Sequence, residues 1–334
     1  MNENNLDLSV CIITWDANDL TIACLRSLVQ HTKAIEYEII LVDNGSSDET
    51  VKNVRDNFPQ VRLIINPTDT GYSYANNQAL AVAKGRYSVL LNNDMLFKSD
   101  ALSKMVVFMD KNSDVGVLGC RLRLLSGEVQ KTAHEDLSWL DYLFSSFFLD
   151  RLFPRSRVLG RVNSTYLDYE ANDLVVDTGW VAGAGLLVRT DSLRDVGLLD
   201  KKIVSAAEDW EWCRRFAKKG YRVVYYTGAE IIHYGGMSAS NYVGRDRDNV
   251  RRHAIMRQVA SVHYVFRKLN QGSNAKIFLF NLTFRIYCLS RAIAFKIRNI
   301  LKPNSLDHGN FQAYRDSILI GYKRLCESYL RFEN

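Results

Sequence analysis

Arg86-Tyr87-Ser88-Val89-Leu90-Leu91-Asn92-Asn93-Asp94 is the stretch from which the fold is read. Residues 86–91 have the aromatic and apolar character of a buried strand, and Gly85 before them marks a turn. The run then stops on three polar residues that end in a carboxylate. In an open α/β sheet, ligands bind beyond the carboxyl ends of the strands. A carboxylate there can hold a divalent cation, and the cation can hold a diphosphate. Taken alone, Asn92-Asn93-Asp94 reads more simply as a turn and helix cap, since Asn and Asp are ordinary turn residues.

The flanks decide in favour of a sheet. Leu8–Thr14 is a continuous apolar run of strand length, followed by a helical stripe of Leu20, Cys24, Leu25, Leu28 and Val29. Strands are expected at 37–42 and 61–65, with a helix at 49–57 that Ser47 or Asp48 can cap. Helices are expected at 74–84 and 99–112, and a strand at 115–120. Strands alternating with helices mean βαβ units and a mostly parallel sheet. The Gly-x-Gly-x-x-Gly fingerprint is missing from the first turn, which argues against a dinucleotide cofactor. Further on, strands are expected at 185–189, 221–226 and 230–233 and a helix at 207–219, and from about 250 the pattern is helical over 250–269, 274–300 and 311–331. The aromatic cluster Trp139–Phe148 is read as packing rather than as a lid or acceptor wall.

The chain has 334 residues, 47% hydrophobic and 24% charged, as expected of a globular protein with a substantial core. Its six cysteines are scattered without a C-x-x-C pair, which argues for reduced thiols, a cytosolic chain and no zinc site. The polar, acidic start does not read as a secretory signal, and no 18-residue apolar window is free of charge, so no membrane-spanning helix is expected. The net charge of +6 is uneven: residues 251–334 carry 15 Lys/Arg against 4 Asp/Glu, leaving the first 250 residues acidic. A basic region on an acidic body suggests a second task, facing anionic lipid or nucleic acid, or else a solvated helical face.

Several loops then fall in one order: Thr14-Trp15-Asp16, Asp43–Asp48, Asp69–Asn77, Leu91–Asp94, Ala182–Arg189, Glu208–Arg214 and His233–Gly236. This succession resembles the family 2 glycosyltransferases of the GT-A fold, in their rhamnosyltransferase-like branch, and covers roughly residues 8–240. The resemblance implies an α/β fold with a mostly parallel central sheet flanked by helices. Residues 1–245 would be the catalytic domain (nucleotide-sugar half about 1–120, acceptor half about 121–245), and residues 246–334 a basic helical C-terminal region. It implies transfer of a sugar from a nucleotide-diphosphate donor, dTDP-rhamnose or a UDP-sugar, to a saccharide or lipid-linked saccharide acceptor with inversion.

By the same resemblance Thr14, Asp16 and Asp43 grip the nucleoside; an ionised Asp43 suits a pyrimidine ring N–H, or else it makes an Asx turn with Gly45 and Ser46. The family usually has Tyr-Asn where this chain has Trp15-Asp16, and Asn where it has Asp69. Gly71 permits a positive φ, Asn77 points toward the nucleotide, and Gly183 allows close backbone approach. Asn92-Asn93-Asp94 takes the place of the D-x-D metal motif with its first acid replaced, so Asp94 is the implied ligand for Mg²⁺ or Mn²⁺ and His233 the second. Asp209 is the implied general base with Glu208 as its understudy, and Trp210 and Arg214 are further binding residues. A solvated helix start is the plainer account of Glu208 and Asp209.

Residues 270–300 mix aromatics with spaced Arg and Lys, which suits a helix lying in a membrane interface and equally one packing on the protein with a basic outer face. The first option places the chain in the cytoplasm, peripheral at the inner face of the membrane. No nucleic-acid partner is expected, and a homo-oligomer stays open. The alternatives are a nucleotidyltransferase on a similar sheet, which should have a Gly-rich loop after the first strand where Thr14–Leu20 has no Gly, or a non-catalytic membrane- or nucleic-acid-binding protein.

Overall fold

The computed structural model describes residues 6–160, 164, 167–204, 206–235, 247–302 and 305–330. The described residues within 1–133, 168–200 and 212–241 form one compact unit, and those within 134–167, 201–211 and 242–334 a second. The boundary read at 245/246, and Gly236 of the last motif, lie outside the described residues.

The first unit is built on a ten-stranded sheet. In chain order its elements are β1 (Leu8–Thr14), α1 (Asn18–His31), β2 (Tyr37–Asp43), α2 (Thr50–Asn57), β3 (Arg62–Ile65), α3 (Tyr72–Val82), β4 (Tyr87–Asn92), β5 (Met95–Leu96), α4 (Ala101–Lys111), β6 (Val115–Leu124), β7 (Val129–Gln130), β8 (Val175–Asp177), β9 (Leu186–Arg189) and β10 (Arg222–His233). The strand order is β3-β2-β1-β4-β9-β6-β10-β5, with β7 beside β6 and β8 beside β10. β3, β2, β1 and β4 run parallel, as do β6 and β10, whereas β9 enters antiparallel between β4 and β6. The sheet is mixed and mostly parallel, as the alternation of strands and helices implied.

β1 and β4 are continuous apolar runs because both of their faces are covered. Leu8, Val10, Ile12, Val89 and Leu91 are buried with Cys24, Leu25 and Leu28 of α1 and Leu102, Met105 and Met109 of α4. Register fixes where the strands stop. Thr14 pairs with Asp43, Asp43 with Ile65, and Ile13 with Asn92, so β1, β2, β3 and β4 end level and deliver their polar loops to one edge.

Three expectations differ in detail. The strands expected at 221–226 and 230–233 are one strand, β10, with a register shift between Tyr226 and Glu230. The residue at the N-cap of α2 is Glu49, which makes no side-chain cap bond, so neither Ser47 nor Asp48 is the cap; Asp48 instead accepts from the Thr50 N–H (3.0 Å) in the turn before the helix. Arg189, read only as the end of a motif, closes the α4–β6 connection: it donates to the carbonyls of Met109 (2.6 Å), Asn112 (2.7 Å) and Val115 (2.8 Å). Its charge thereby meets the negative end of the α4 dipole.

The second unit is helical: α5 (Trp139–Ser146), the opening residues of α6 (Glu208–Lys218), α7 (Arg247–Leu269), α8 (Asn274–Leu301), α9 (Ser305–Ile320) and α10 (Tyr322–Tyr329). The aromatic cluster read at 139–148 does pack. Tyr142 of α5 meets Phe280, Phe284 and Tyr287 of α8 edge-on, and Phe280 stacks on Phe266 of α7 at 3.8 Å. Arg291 of α8 is buried and donates to the Ser145 hydroxyl (2.8 Å), with its guanidinium 4.5 Å from the centre of the Phe148 ring. α8 is long and apolar enough to cross a membrane by length and composition alone, with Arg285 and Arg291 inside its apolar stretch.

Arg189→Met should cost about 2–3 kcal/mol by removing a cation that donates to three backbone carbonyls. The urea midpoint should fall at unchanged m-value.

Candidate active site

The β1 and β2 loops are laced together by their own side chains. Asp16 adopts a positive φ of 43°, its amide donates to the Ser46 hydroxyl (2.9 Å), and its carboxylate accepts from the Ser47 amide (2.6 Å). Asp43 is fully buried at the end of β2. Its Oδ2 accepts from the amides of Gly45 (3.2 Å) and Ser46 (3.0 Å), the Asx turn that the sequence offered as the plainer account. Its Oδ1 is buried without a hydrogen-bond partner. One oxygen therefore shapes the loop and the other is available to a ligand N–H. Gly45 is required here: its φ is +86°, and a Cβ would lie 2.7 Å from the Thr68 backbone.

Thr14 is buried, and its hydroxyl pairs with that of Thr21 (2.7 Å). The Asn93 amide donates to both hydroxyls (3.1 and 3.2 Å). These two predicted binding residues tie the β4 end to the β1 end and to α1. Asn92 is the partly exposed member of the triplet.

Asp94 is 1% exposed and faces His233, which is 6% exposed at the end of β10. Asp94 Oδ1 lies 3.1 Å from His233 Nε2. That is ion-pair distance, yet neither Asp94 oxygen nor His233 Nε2 has a hydrogen-bond partner. The reason lies on the other side of the ring: His233 Nδ1 is 2.6 Å from Gln130 Oε1. A carbonyl oxygen can only accept, so Nδ1 carries a proton, and in the neutral imidazole Nε2 then turns a lone pair toward the carboxylate. Two acceptors face each other in a dry place, which is costly unless a cation joins them. An imidazole whose second nitrogen is held by an acceptor is also the usual form of a metal-ligating histidine. The residues fit a divalent ion. Among the described residues no cluster of three or more His, Cys, Asp or Glu could hold a metal, so an ion at this place would take two of its ligands, Asp94 and His233, from the described residues. Sequence reasoning missed Gln130, which sits on a two-residue strand with no motif around it.

Gly71 has a φ of 79° and opens α3. The Asn77 side chain does not point outward: it donates to the Leu199 carbonyl (2.8 Å) and accepts from the Leu199 amide (3.0 Å), anchoring the segment after β9. That geometry corrects the expectation that it faces the nucleotide. Asp69, in place of the family's Asn, accepts from the Gly71 amide (2.8 Å) and from the Asn44 amide (2.6 Å), and so holds the turn. The Gly183 carbonyl accepts from the Tyr72 hydroxyl (3.3 Å).

The acid pair opens α6. Ala206 and Ala207 just before it hold positive φ values of 69° and 67°, a conformation that costs non-glycine residues energy and gathers at functional sites. Glu208 is buried, and one carboxylate oxygen lacks a partner. Burial, and then the charge of Asp209, push its pKa up to about 8. Asp209 is less buried and accepts from the Trp210 amide (2.8 Å). The Trp210 ring is buried, and its indole N–H donates to Asp136 (2.9 Å), so it braces the helix from inside. Glu211 is buried against Lys268 (2.9 Å). Arg214 is partly exposed one turn further on. Of the α6 residues, the geometry thus leaves Glu208 and Asp209 with the chemistry of an acid–base pair.

The sheet order and its level strand ends define a GT-A-like fold. Solved structures share it. One is a mannosyltransferase from Pyrobaculum calidifontis, in complex with GDP-Man and Mn²⁺, which aligns over 95% of this chain and 88% of its own at 16% identity, TM-score 0.58. Another is GalNAc-T7 with UDP, GalNAc and Mn²⁺, over 89% and 58%, at 15% identity and TM-score 0.51. Residues 9–166 match the model of glycosyl transferase family 2, so the chain carries a family 2 glycosyltransferase domain. It is rhamnosyltransferase-like: an N-acetylglucosaminyl-diphospho-decaprenol L-rhamnosyltransferase of Mycobacterium tuberculosis is 25% identical over 250 residues, 72% of this chain and 78% of that one.

Glu208 sets a pH dependence of stability. Its folded pKa of about 8 lies above the ordinary 4.5, so the folded chain keeps a proton that the unfolded chain releases. Wild-type stability should therefore fall as pH rises from 4.5 toward 8 and level off above. Glu208→Gln has no such proton to lose, so its melting temperature should gain steadily on wild type across that interval. A constant difference would remove the buried-acid assignment.

Proposed function

We propose that this chain transfers a sugar from a nucleotide-diphosphate donor, dTDP-rhamnose or a UDP-sugar, to a hydroxyl of a cell-surface polysaccharide or lipid-linked acceptor, with inversion at the anomeric carbon. The observation that carries the reading is the pair of buried acceptors, Asp94 and His233, facing one another with Gln130 holding the ring. Such an arrangement suits a divalent cation whose remaining ligands are diphosphate oxygens and water. The relative's activity, rhamnosyl transfer to a diphospho-decaprenol carrier, supports the donor and acceptor classes.

The roles follow from the chemistry of each group. Asp43 Oδ1 accepts from a ring N–H of the base. Asp94 and His233 would hold Mg²⁺ or Mn²⁺, which when bound offsets the charge that builds on the departing diphosphate. Asp209 takes the proton of the acceptor hydroxyl, that oxygen attacks the anomeric carbon, and the bond to the diphosphate oxygen breaks with its electron pair leaving on the diphosphate. One displacement inverts the centre. Glu208 retains its proton at neutral pH because burial, and then the charge of Asp209, disfavour its ionised form. Asp209 is then the member of the pair assigned as base.

The test is a panel of nucleotide sugars scored for thermal stabilisation with Mn²⁺ and for product by NMR. The matching donor should raise the melting temperature only with metal present, and Asp94→Asn should remove that dependence. Asp209→Asn should lower kcat by about 10²–10⁴-fold while donor stabilisation persists. Full turnover by Asp209→Asn, or stabilisation that ignores the metal, would sink the reading.

A further inference from the structure

The helices of the second unit contain a cleft of about 1280 Å³ that the transfer reaction leaves without a role. Its walls include His263 and Arg267 of α7, Asn281 and Arg285 of α8, and Tyr322 and Arg324 of α10. Six Lys or Arg line it against a single carboxylate, Glu327, so its field selects anions. Lys268 is paired with Glu211, but Arg267, Arg285, Lys323 and Arg324 have no carboxylate within ion-pair distance among the described residues. His263 is 4% exposed, bonded through Nε2 to Asn281 (2.8 Å), and its Nδ1 is buried without a partner. Unpaired guanidinium groups in a concave site are the usual recognition elements for phosphate.

The outer face of α8 adjoins this cleft. Phe278, Leu282, Leu289, Ile293, Ile297 and Ile300 form a stripe at helical spacing, each 48–69% exposed. Phe278 and Leu282 stand next in sequence to the cleft residues Ile277 and Asn281. Arg285 and Lys296 are exposed along the same face. The opposite face is buried through Phe280, Phe284, Cys288 and Arg291. A helix packed on one side and apolar with cationic edges on the other suits the interface plane rather than a span. Pairing the stripe with a second copy by twofold symmetry would bring cation-lined surfaces together, so the charge favours an anionic surface.

We propose that this face docks on a bilayer containing anionic phospholipid, the cleft taking a headgroup phosphate while the α8 stripe enters the acyl boundary. The inference goes beyond sugar transfer and uses none of its residues. It extends the membrane reading of residues 270–300 to a phosphate site.

The full-length protein, without nucleotide sugar, is floated with vesicles of phosphatidylcholine alone or with about 30% phosphatidylglycerol. Binding should be at least ~10-fold tighter to the anionic vesicles and weaken in 0.5 M salt, roughly the regime where exposed charges are screened. Arg267→Glu with Arg285→Glu should remove the preference. Leu289→Asp with Ile293→Asp should remove binding to either vesicle, circular dichroism reporting that each variant is folded. The salt arm tests the charge contribution without any variant. Equal binding to both vesicles, or none, overturns the proposal. So does stabilisation by inorganic phosphate without vesicle binding, which would mean a soluble anion. A dimer that Ile293→Asp splits, without vesicle binding, would mean a second copy. Donor stabilisation reports separately on the transfer site.

Discussion

The constraint on which the first unit depends is the register of its four parallel strands. Thr14 stands opposite Asp43, Asp43 opposite Ile65, and Ile13 opposite Asn92. A one-residue slip would turn every side chain of a strand to the other face. With the register held, loops far apart in sequence meet at one edge and bond to each other: Asp16 to Ser46 and Ser47, and Asn93 to Thr14 and Thr21. Thr14 and Asn93 thus belong to the floor of the site and not to its lining.

How much was legible in the sequence divides along the same line. The strands were legible because β1, β2 and β4 are covered on both faces and must be apolar throughout, a signal that needs no context. Motif order located Asp43, Asp94 and Glu208, which hold buried oxygens without a hydrogen-bond partner, and Asp209 next to Glu208. What sequence could not supply is which way a side chain turns. Asn77 reads as a ligand group in its loop, but it is spent on both backbone groups of Leu199, 122 residues away. Gln130 decides the tautomer of His233 across 103 residues, and nothing local marks it. The two strands read at 221–226 and 230–233 are one for a related reason, since pairing with β6 resumes beyond the irregularity.

Burial also separates two acids that are neighbours in sequence. Glu208 lies inside, with an oxygen that nothing satisfies, whereas Asp209 is less buried and bonded to a backbone amide. The cheaper microstate puts the shared proton on the more buried group. The positive φ values at Ala206 and Ala207 show the chain entering this helix at a conformational cost, beside a first turn held by the hydrogen bond from the buried Trp210 indole N–H to Asp136. The charge assignment thus follows from where each carboxyl sits and not from which is Asp or Glu.

The same reasoning bears on how a cation would be retained on the proposed reading. One carboxylate and one neutral imidazole bring a single negative charge to the pair, since Asn92 stands where the motif elsewhere has its first acid. Mg²⁺ and Mn²⁺ favour six ligands, largely oxygen, so most of the coordination shell must come from elsewhere. A donor diphosphate supplies both oxygens and charge. Affinity for the ion and for the donor are then coupled, and by linkage each raises the other by the same factor. On that reading, with Asn92 rather than an acid beside it, Asp94 would gather the ion together with the donor and not ahead of it.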